Sequence, residues 1–261
     1  MSDLILVERD EAIATVVFNR PRMRNAISLG MWGEIARATE ELAKDDAVRA
    51  VVYRGAGTEA FASGADISEF EDNRKDAETA LAYGRTTEAA YSAIRDCPKP
   101  TVAMIFGFCM GGAMAVAMAC DLRFAAGGAR FAIPAAKLSI IYPVEAVRQL
   151  VGLVGPAHAK DILFSARTLA ADEALRIGLI QRLVPPGELV AHTYDYLRQV
   201  SVNAPLSVRG SKAQIQAIAE GLGDEHRRQL GALQLETFNS HDYREGTRAF
   251  LEKRPPRFEG R

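Results

Sequence analysis

TVAMIFGFCMGGAMAVAMACDL, from Thr101 to Leu122, is the stretch around which the rest of the chain is organised. The run from Thr101 to Cys120 carries no charge and is formally long enough to cross a bilayer. Its internal grammar excludes a membrane span. Pro98 and Pro100 precede a β-branched and aromatic run, Thr101 to Phe106, which predicts a short buried strand. Gly107, Gly111 and Gly112 punctuate a turn, and AMAVAMA predicts a small-residue helix packed closely in a core. The flanks lack the positive bias and aromatic belts of a membrane segment. A strand that enters a glycine turn and opens a buried helix leaves free backbone N–H groups at the positive end of the helix dipole. Such a turn suits a phosphate, or an oxygen that becomes negative during a reaction. Close packing of helix on sheet would also call for the glycines.

Working outward, 261 residues predict one large domain, or one with a smaller appendage. A hydrophobic content of 48% with 25% charged residues is that of a soluble globular protein. A formal net charge of -1 gives no electrostatic case for nucleic acid or an anionic membrane surface. Cys97, Cys109 and Cys120 have no metal spacing and read as buried thiols in a reducing compartment. MSDLILVERDE places charges where a signal peptide needs an apolar core, so a cytoplasmic location is expected.

Leu4 to Val7 and Ala12 to Phe18 alternate as a hairpin, turning at Arg9 to Glu11. NRPRMRNAIS (Asn19 to Ser28) is a polar loop with three arginines, and Ser28 is the expected N-cap of a helix from Leu29 to Lys44. Ile35, Ala38 and Leu42 share one face of that helix. Val48 to Tyr53 is a strand, FASGAD (Phe61 to Asp66) is a second glycine turn, and helices follow through Ile94. Short strands at Leu122 to Ala126 and Arg130 to Ile133 precede a helix from about Val144. Leu179 to Val184 is the last strand. From Glu188 every segment is helical and amphipathic. The order predicts an α/β layered core, residues 1–187, and a C-terminal helical region, residues 188–261, that makes a separate layer or subunit contact.

FASGADI lies about forty residues before GFCMGGAMAVAMACD, and with NRPRMRNAIS, DEALRIGLIQRLVP and AFLEKRPPRF it strongly resembles the crotonase (enoyl-CoA hydratase/isomerase) family. The likeness covers essentially the whole chain. It implies a spiral of repeated strand–strand–helix units, a C-terminal helical region that builds a homotrimer or a dimer of trimers, and an acyl-CoA thioester substrate. Coenzyme A then enters as part of the substrate, with no separate cofactor. The backbone N–H groups of Ala65 and Gly112 become the donors to the thioester oxygen, in keeping with the glycine turns. The loop from Ala62 through Asp66 and Ile67 to Ser68 would follow the CoA. Arg22, Arg24 and Lys253 stand where the family meets its phosphates. Asp66 reads as an Asx cap of its own turn rather than an acid–base group.

The chain departs from family hydratases at one decisive point. The two glutamates that hold and activate water align with Ala115 and Ala135, and alanine transfers no proton. Such groups usually contribute about a hundred- to ten-thousand-fold each. The C-terminal half resembles a methylmalonyl-CoA decarboxylase-like branch, with Tyr142 at that branch's tyrosine position, although Ala65 stands where that branch has histidine. Decarboxylation needs an oriented carboxylate and a stabilised enolate, not a base. Each glutamate would repel a substrate carboxylate by about 4 kcal/mol at ~4 Å and an effective dielectric of ~20. Carbon–carbon lyase or decarboxylase-like chemistry on a short acyl-CoA is therefore the expected reaction, with Tyr142 as proton or hydrogen-bond donor. The alternatives are hydration or isomerisation using Glu145, and acyl-CoA binding without turnover. Glu145 is also a natural helix N-terminal charge, and Tyr142 a pocket-lining ring.

Overall fold

The computed structural model describes residues 3–261. A hairpin of β1 (Ile5–Asp10) and β2 (Ile13–Phe18) opens the chain and turns through Glu11, whose φ is +52°. A 3-10 turn at Pro21–Met23 leads to α1 (Leu29–Lys44) and β3 (Ala50–Gly55). Next come β4 (Ala60–Ala62), a 3-10 turn at Ile67–Glu69, α2 (Phe70–Asn73) and α3 (Ala77–Asp96). The central stretch forms β5 (Thr101–Ile105), β6 (Phe108–Met110), α4 (Gly112–Ala119) and β7 (Leu122–Ala126). Then follow β8 (Arg130–Ala132), α5 (Val144–Ser165), β9 (Leu169–Ala170), α6 (Ala171–Arg176) and β10 (Arg182–Val184). The chain closes with α7 (Leu189–Ser201), α8 (Pro205–Glu220), α9 (Asp224–Asn239) and α10 (His241–Glu252).

The strands form two sheets, one of six in the order β1-β2-β3-β5-β7-β10 and one of four in the order β4-β6-β8-β9. All pairings are parallel except the first hairpin and the β8–β9 pair. Side-chain alternation sends each central strand of the large sheet into two cores. Ala14, Val16 and Phe18 of β2, Val51 and Tyr53 of β3, and Ala103 and Ile105 of β5 face the main core with α1, α3 and α4. Ile13, Ala50, Val52, Val102 and Met104 face the opposite side, against Leu189 and Leu197 of α7. The first helix of the C-terminal run thus covers the large sheet directly. Strands covered on both faces lose the alternation that a half-exposed strand shows.

The central stretch is where the two sheets meet. A single strand followed by a turn was expected; instead the chain leaves the large sheet after Ile105 and re-enters a sheet at Phe108. Gly107 makes the switch, with φ +53°, and a Cβ there would lie 1.7 Å from the Glu59 carbonyl oxygen. No other residue fits that close approach. α4 is buried at every position from Ala113 to Ala119, which explains why it is apolar all round. No helix among the described residues is long and apolar enough to cross a membrane.

Side-chain capping decides few of the helix starts. Asp76 caps α3 by accepting the Thr79 N–H at 2.8 Å. The expected Ser28 cap of α1 is replaced: Ser28 occupies the N-cap position without a side-chain bond, and the Leu29 N–H donates to Glu69 Oε2 at 2.7 Å. A carboxylate from a distant loop satisfies the helix end and ties that loop to α1. α5 is broken at Gly155, φ +74°, followed by Pro156.

Candidate active site

Two loops converge at the head of α4. The polar loop Asn19 to Ser28 delivers Ile27 into a parallel bridge with Ala65. The Ile27 N–H donates to Gly64 O at 2.8 Å, and the Asp66 N–H returns to Ile27 O at 2.9 Å. Asn25 braces the loop from a left-handed backbone, φ +57°, donating to Ala56 O and Ala60 O. Gly64, at φ +107°, lies so close to the second loop that a Cβ would be 2.8 Å from Met110 O and 3.7 Å from the Gly112 nitrogen. The Ala65 and Gly112 backbones therefore sit side by side.

Both peptides are held from behind. In a trans peptide the C=O and N–H point in opposite directions. The Gly64 carbonyl is pinned by Ile27, which turns the Ala65 N–H the other way. The Gly111 carbonyl accepts the Tyr142 hydroxyl at 2.8 Å and the Met114 N–H at 2.9 Å, which fixes the plane carrying the Gly112 N–H. Gly112 is the first residue of α4, so its N–H has no acceptor in the preceding turn of the helix. The Tyr142 donor also polarises that peptide and makes its N–H a stronger donor.

Ala65, Gly112, Ala135 and Tyr142 border one cavity of about 530 Å³. Its far wall is aromatic: Trp32 from α1, Phe70 from α2, and Tyr83 and Tyr91 from α3. Trp32 Nε1 donates to the Tyr83 hydroxyl at 2.9 Å, and Trp32 meets Tyr91 edge to face at 5.4 Å. A Cβ at Gly112 would come within 3.1 Å of the Trp32 ring, so this wall sets the depth of the donor turn. Burial pushes the phenols of Tyr83, Tyr91 and Tyr142 above the ordinary tyrosine range, so all three stay neutral. Arg74 enters this wall with its guanidinium 3.9 Å from the Tyr83 ring centre and 4.2 Å from that of Phe70. No Asp, Glu or His lines the cavity among the described residues.

The remaining expected site residues are placed as follows. Asp66 accepts from the Ser68 N–H at 3.1 Å, the Ser68 hydroxyl at 2.7 Å and Arg20 at 2.8 Å. Ser68 and Arg20 hold its carboxyl below the usual carboxylate range, and it serves the turn. Ala62 is buried in β4, and Ile67, 60% exposed, lies at the cavity rim. Arg22 is exposed in its 3-10 turn. Arg24 pairs with Glu59 at 2.7 Å and covers the Phe108 ring. Lys253 is an exposed left-handed residue ending α10. Glu145 stands apart from the other candidates. It lies in the first turn of α5 outside the cavity lining, bound to Arg148 at 2.8 Å and near Arg95 at 4.0 Å. Tyr142 does line the cavity, but its proton is directed at Gly111 O. Ala115 is buried inside α4.

Sequence reasoning missed Trp32, Tyr83, Tyr91 and Arg74. The spacing Tyr83, Thr87, Ala90, Tyr91, Ile94 marks the buried face of α3, and only the tertiary fold shows that this helix borders a cavity from Ala80 to Tyr91.

From residue 8 to residue 261 the chain matches the family model described as enoyl-CoA hydratase/isomerase. The chain belongs to the enoyl-CoA hydratase/isomerase family. The short-chain-enoyl-CoA hydratase of Clostridium acetobutylicum is 34% identical over 259 residues, covering 96% of this chain and 95% of that protein. The crotonyl-CoA hydratase of Syntrophomonas wolfei is also 34% identical, with 97% of each chain covered. The crystal structure of an enoyl-CoA hydratase/carnithine racemase from Magnetospirillum magneticum superposes with a TM-score of 0.93 at 36% identity. It covers 100% of this chain and 97% of that one. The two-sheet architecture is thus that of the crotonase family, and the chain is an enzyme of that family.

Proposed function

We propose that this enzyme binds an acyl-CoA thioester with its carbonyl oxygen between the Ala65 and Gly112 N–H groups and forms an enolate there. The favoured reaction is decarboxylation or a related carbon–carbon cleavage. The observation that carries this reading is the cavity wall without carboxylate or imidazole, in a site whose two backbone donors are braced from behind. In a substrate with a carboxylate on Cα, the Cα–carboxylate bond breaks and carbon dioxide leaves. The bonding pair becomes the enolate double bond, with charge on the thioester oxygen. A proton from water then restores Cα. No step asks a side chain to remove a proton. Two preorganised donors act where the charge grows, and losing one such donor typically costs about a hundred- to a thousand-fold in rate.

The second reading is hydration or isomerisation of an enoyl-CoA, favoured by the hydratase names of the relatives. It needs an acid–base group, and Glu145 would have to leave Arg148 and enter the cavity. Binding without turnover is the third. Supply of malonyl-CoA and crotonyl-CoA to the purified enzyme, with products identified by mass, separates them. Acetyl-CoA from malonyl-CoA, with crotonyl-CoA unchanged, supports the first. Rapid hydration that falls by a hundredfold or more in Glu145→Gln would establish the second. Tight binding with neither product would establish the third.

The CoA chain is proposed to follow Ala62 to Ser68, with Arg22, Arg24 and Lys253 as the cations available for phosphates. A trimer or a pair of trimers is proposed for the assembly, supported by the exposed apolar side chains Leu235, Phe238, Phe250 and Leu251 on α9 and α10.

A further inference from the structure

Arg74 is the cation of the cavity wall and the one feature there that the enolate chemistry leaves unused. Its Nε is buried with no hydrogen-bond partner. Several other half-buried arginines hold carboxylates: Arg95 has Asp96, Arg148 has Glu145, and Arg254 has Glu245. Arg74 enters no such pair among the described residues. Of the acids near it in sequence, Glu69 gives its Oε2 to the Leu29 N–H and Asp76 caps α3, and neither Glu71 nor Asp72 forms an ion pair with it. Instead the guanidinium lies against two aromatic faces, at 3.9 and 4.2 Å from the Tyr83 and Phe70 ring centres. Cation–π contact stabilises a flat guanidinium without supplying a carboxylate for its N–H groups, and the side chain lines the cavity. An unpaired cation beside apolar walls is poorly solvated, and a carboxylate arriving there gains a charge-assisted, geometrically matched partner.

We propose that Arg74 is the specificity residue for the acyl group, and that it selects acyl chains ending in a carboxylate. The inference rests on the acyl-CoA reading above and names its substrate class. Geometry links the two ends of the cavity. Arg74 stacks on Tyr83, Tyr83 holds Trp32, and Trp32 backs the Gly112 turn, so the cation and the oxyanion donors sit on one continuous wall. A carboxylate held at one end and a thioester oxygen at the other fix an acyl chain in a single direction. Among the described residues no Glu or Asp lines the cavity, so no carboxylate on the wall itself stands against that group.

The test compares three carboxylate-ended thioesters, malonyl-, succinyl- and glutaryl-CoA, with propionyl-, butyryl- and valeryl-CoA, which match them in carbon number. Affinity is measured calorimetrically, or as KM where a thioester turns over, for the wild-type enzyme and for Arg74→Gln and Arg74→Lys. The wild type is expected to prefer at least one acid over its methyl-ended counterpart by about ten- to a hundredfold, the range of a charge-assisted bond. Arg74→Gln loses that preference while keeping its affinity for the methyl-ended thioesters, and Arg74→Lys retains part of it. A wild type without preference, or a preference that survives in Arg74→Gln, overturns the inference and leaves the acyl-CoA reading intact. Equal loss of all six affinities in Arg74→Gln assigns Arg74 to wall packing and also overturns it. Failure of all six to bind the wild type overturns the acyl-CoA reading itself.

Discussion

Gly64→Ala tests how the two donor loops are held together. The substitution adds one carbon at φ +107°, where L-residues are strained, and places it 2.8 Å from Met110 O. That neighbour is backbone and cannot swing away. Either the Gly64–Ala65 peptide or the Met110–Gly112 turn must move by several tenths of an ångström. Strain and clash together cost about 2–4 kcal/mol. In a chain of this size that lowers Tm by roughly 4–16 °C, leaving the enzyme folded at 25 °C. Activity falls much further, because displacement of one donor costs on the order of a hundred- to a thousand-fold in kcat. Gly57→Ala is the control: its φ is +73°, but nothing lies within 4 Å of the added carbon. It should lose stability through backbone strain and keep its turnover. Thermal unfolding and steady-state turnover, measured on both variants, separate the effects. Gly64→Ala turnover within threefold of wild type, together with the predicted Tm loss, would refute the claim that this contact aims the Ala65 N–H.

Tyr142→Phe removes one hydrogen bond to the Gly111 carbonyl, which keeps the Met114 N–H. At about 1 kcal/mol for such a bond, kcat should fall roughly fivefold with thioester affinity unchanged; a thousandfold fall would instead mark Tyr142 as the proton donor. Arg123 is buried and donates to Ala117 O and Cys120 O at the C-terminal end of α4 and to Leu179 O beyond α6. Arg123→Met should cost about 3 kcal/mol in denaturant unfolding, through unpaired carbonyls. The Arg254 guanidinium and the Arg257 N–H lower the Glu245 carboxyl from 4.5 to about 2. A carboxyl depressed on folding stabilises above its unfolded pKa and loses that stabilisation as pH falls through its folded one. The Tm gap between wild type and Glu245→Gln should therefore be full at pH 6 and close between about pH 4.5 and 2; a gap constant with pH would contradict the pairing.

The sequence read clearest where one physical rule decided. Helix α1 ends at the residues its periodicity marks, because Ile35, Ala38 and Leu42 face a single core. β7 was equally clear. The switch at Gly107 was hidden because a glycine after a strand looks like a turn, and its reason lies at the distant Glu59 carbonyl. β9 is two residues long and exists only through pairing with β8, so no local pattern signals it. The two glycine turns were legible as turns, yet their bracing by Ile27 and Tyr142 requires the fold. For Glu145 the sequence shows a carboxylate near the site, and the fold adds the arginines around it. Arg74 lay in a charged segment that resembles a solvated surface, and only the aromatic faces of Phe70 and Tyr83 reveal its position.

The infrared spectrum of bound butyryl-CoA labelled with ¹³C at the thioester carbonyl tests the central claim most directly. Two donors on one oxygen weaken the C=O bond, so the carbonyl band is expected to move to lower frequency on binding in the wild type. In Gly64→Ala it should return most of the way toward its position in water. A band unshifted with the thioester demonstrably bound, or shifted equally in Gly64→Ala, would contradict the oxyanion site proposed for Ala65 and Gly112.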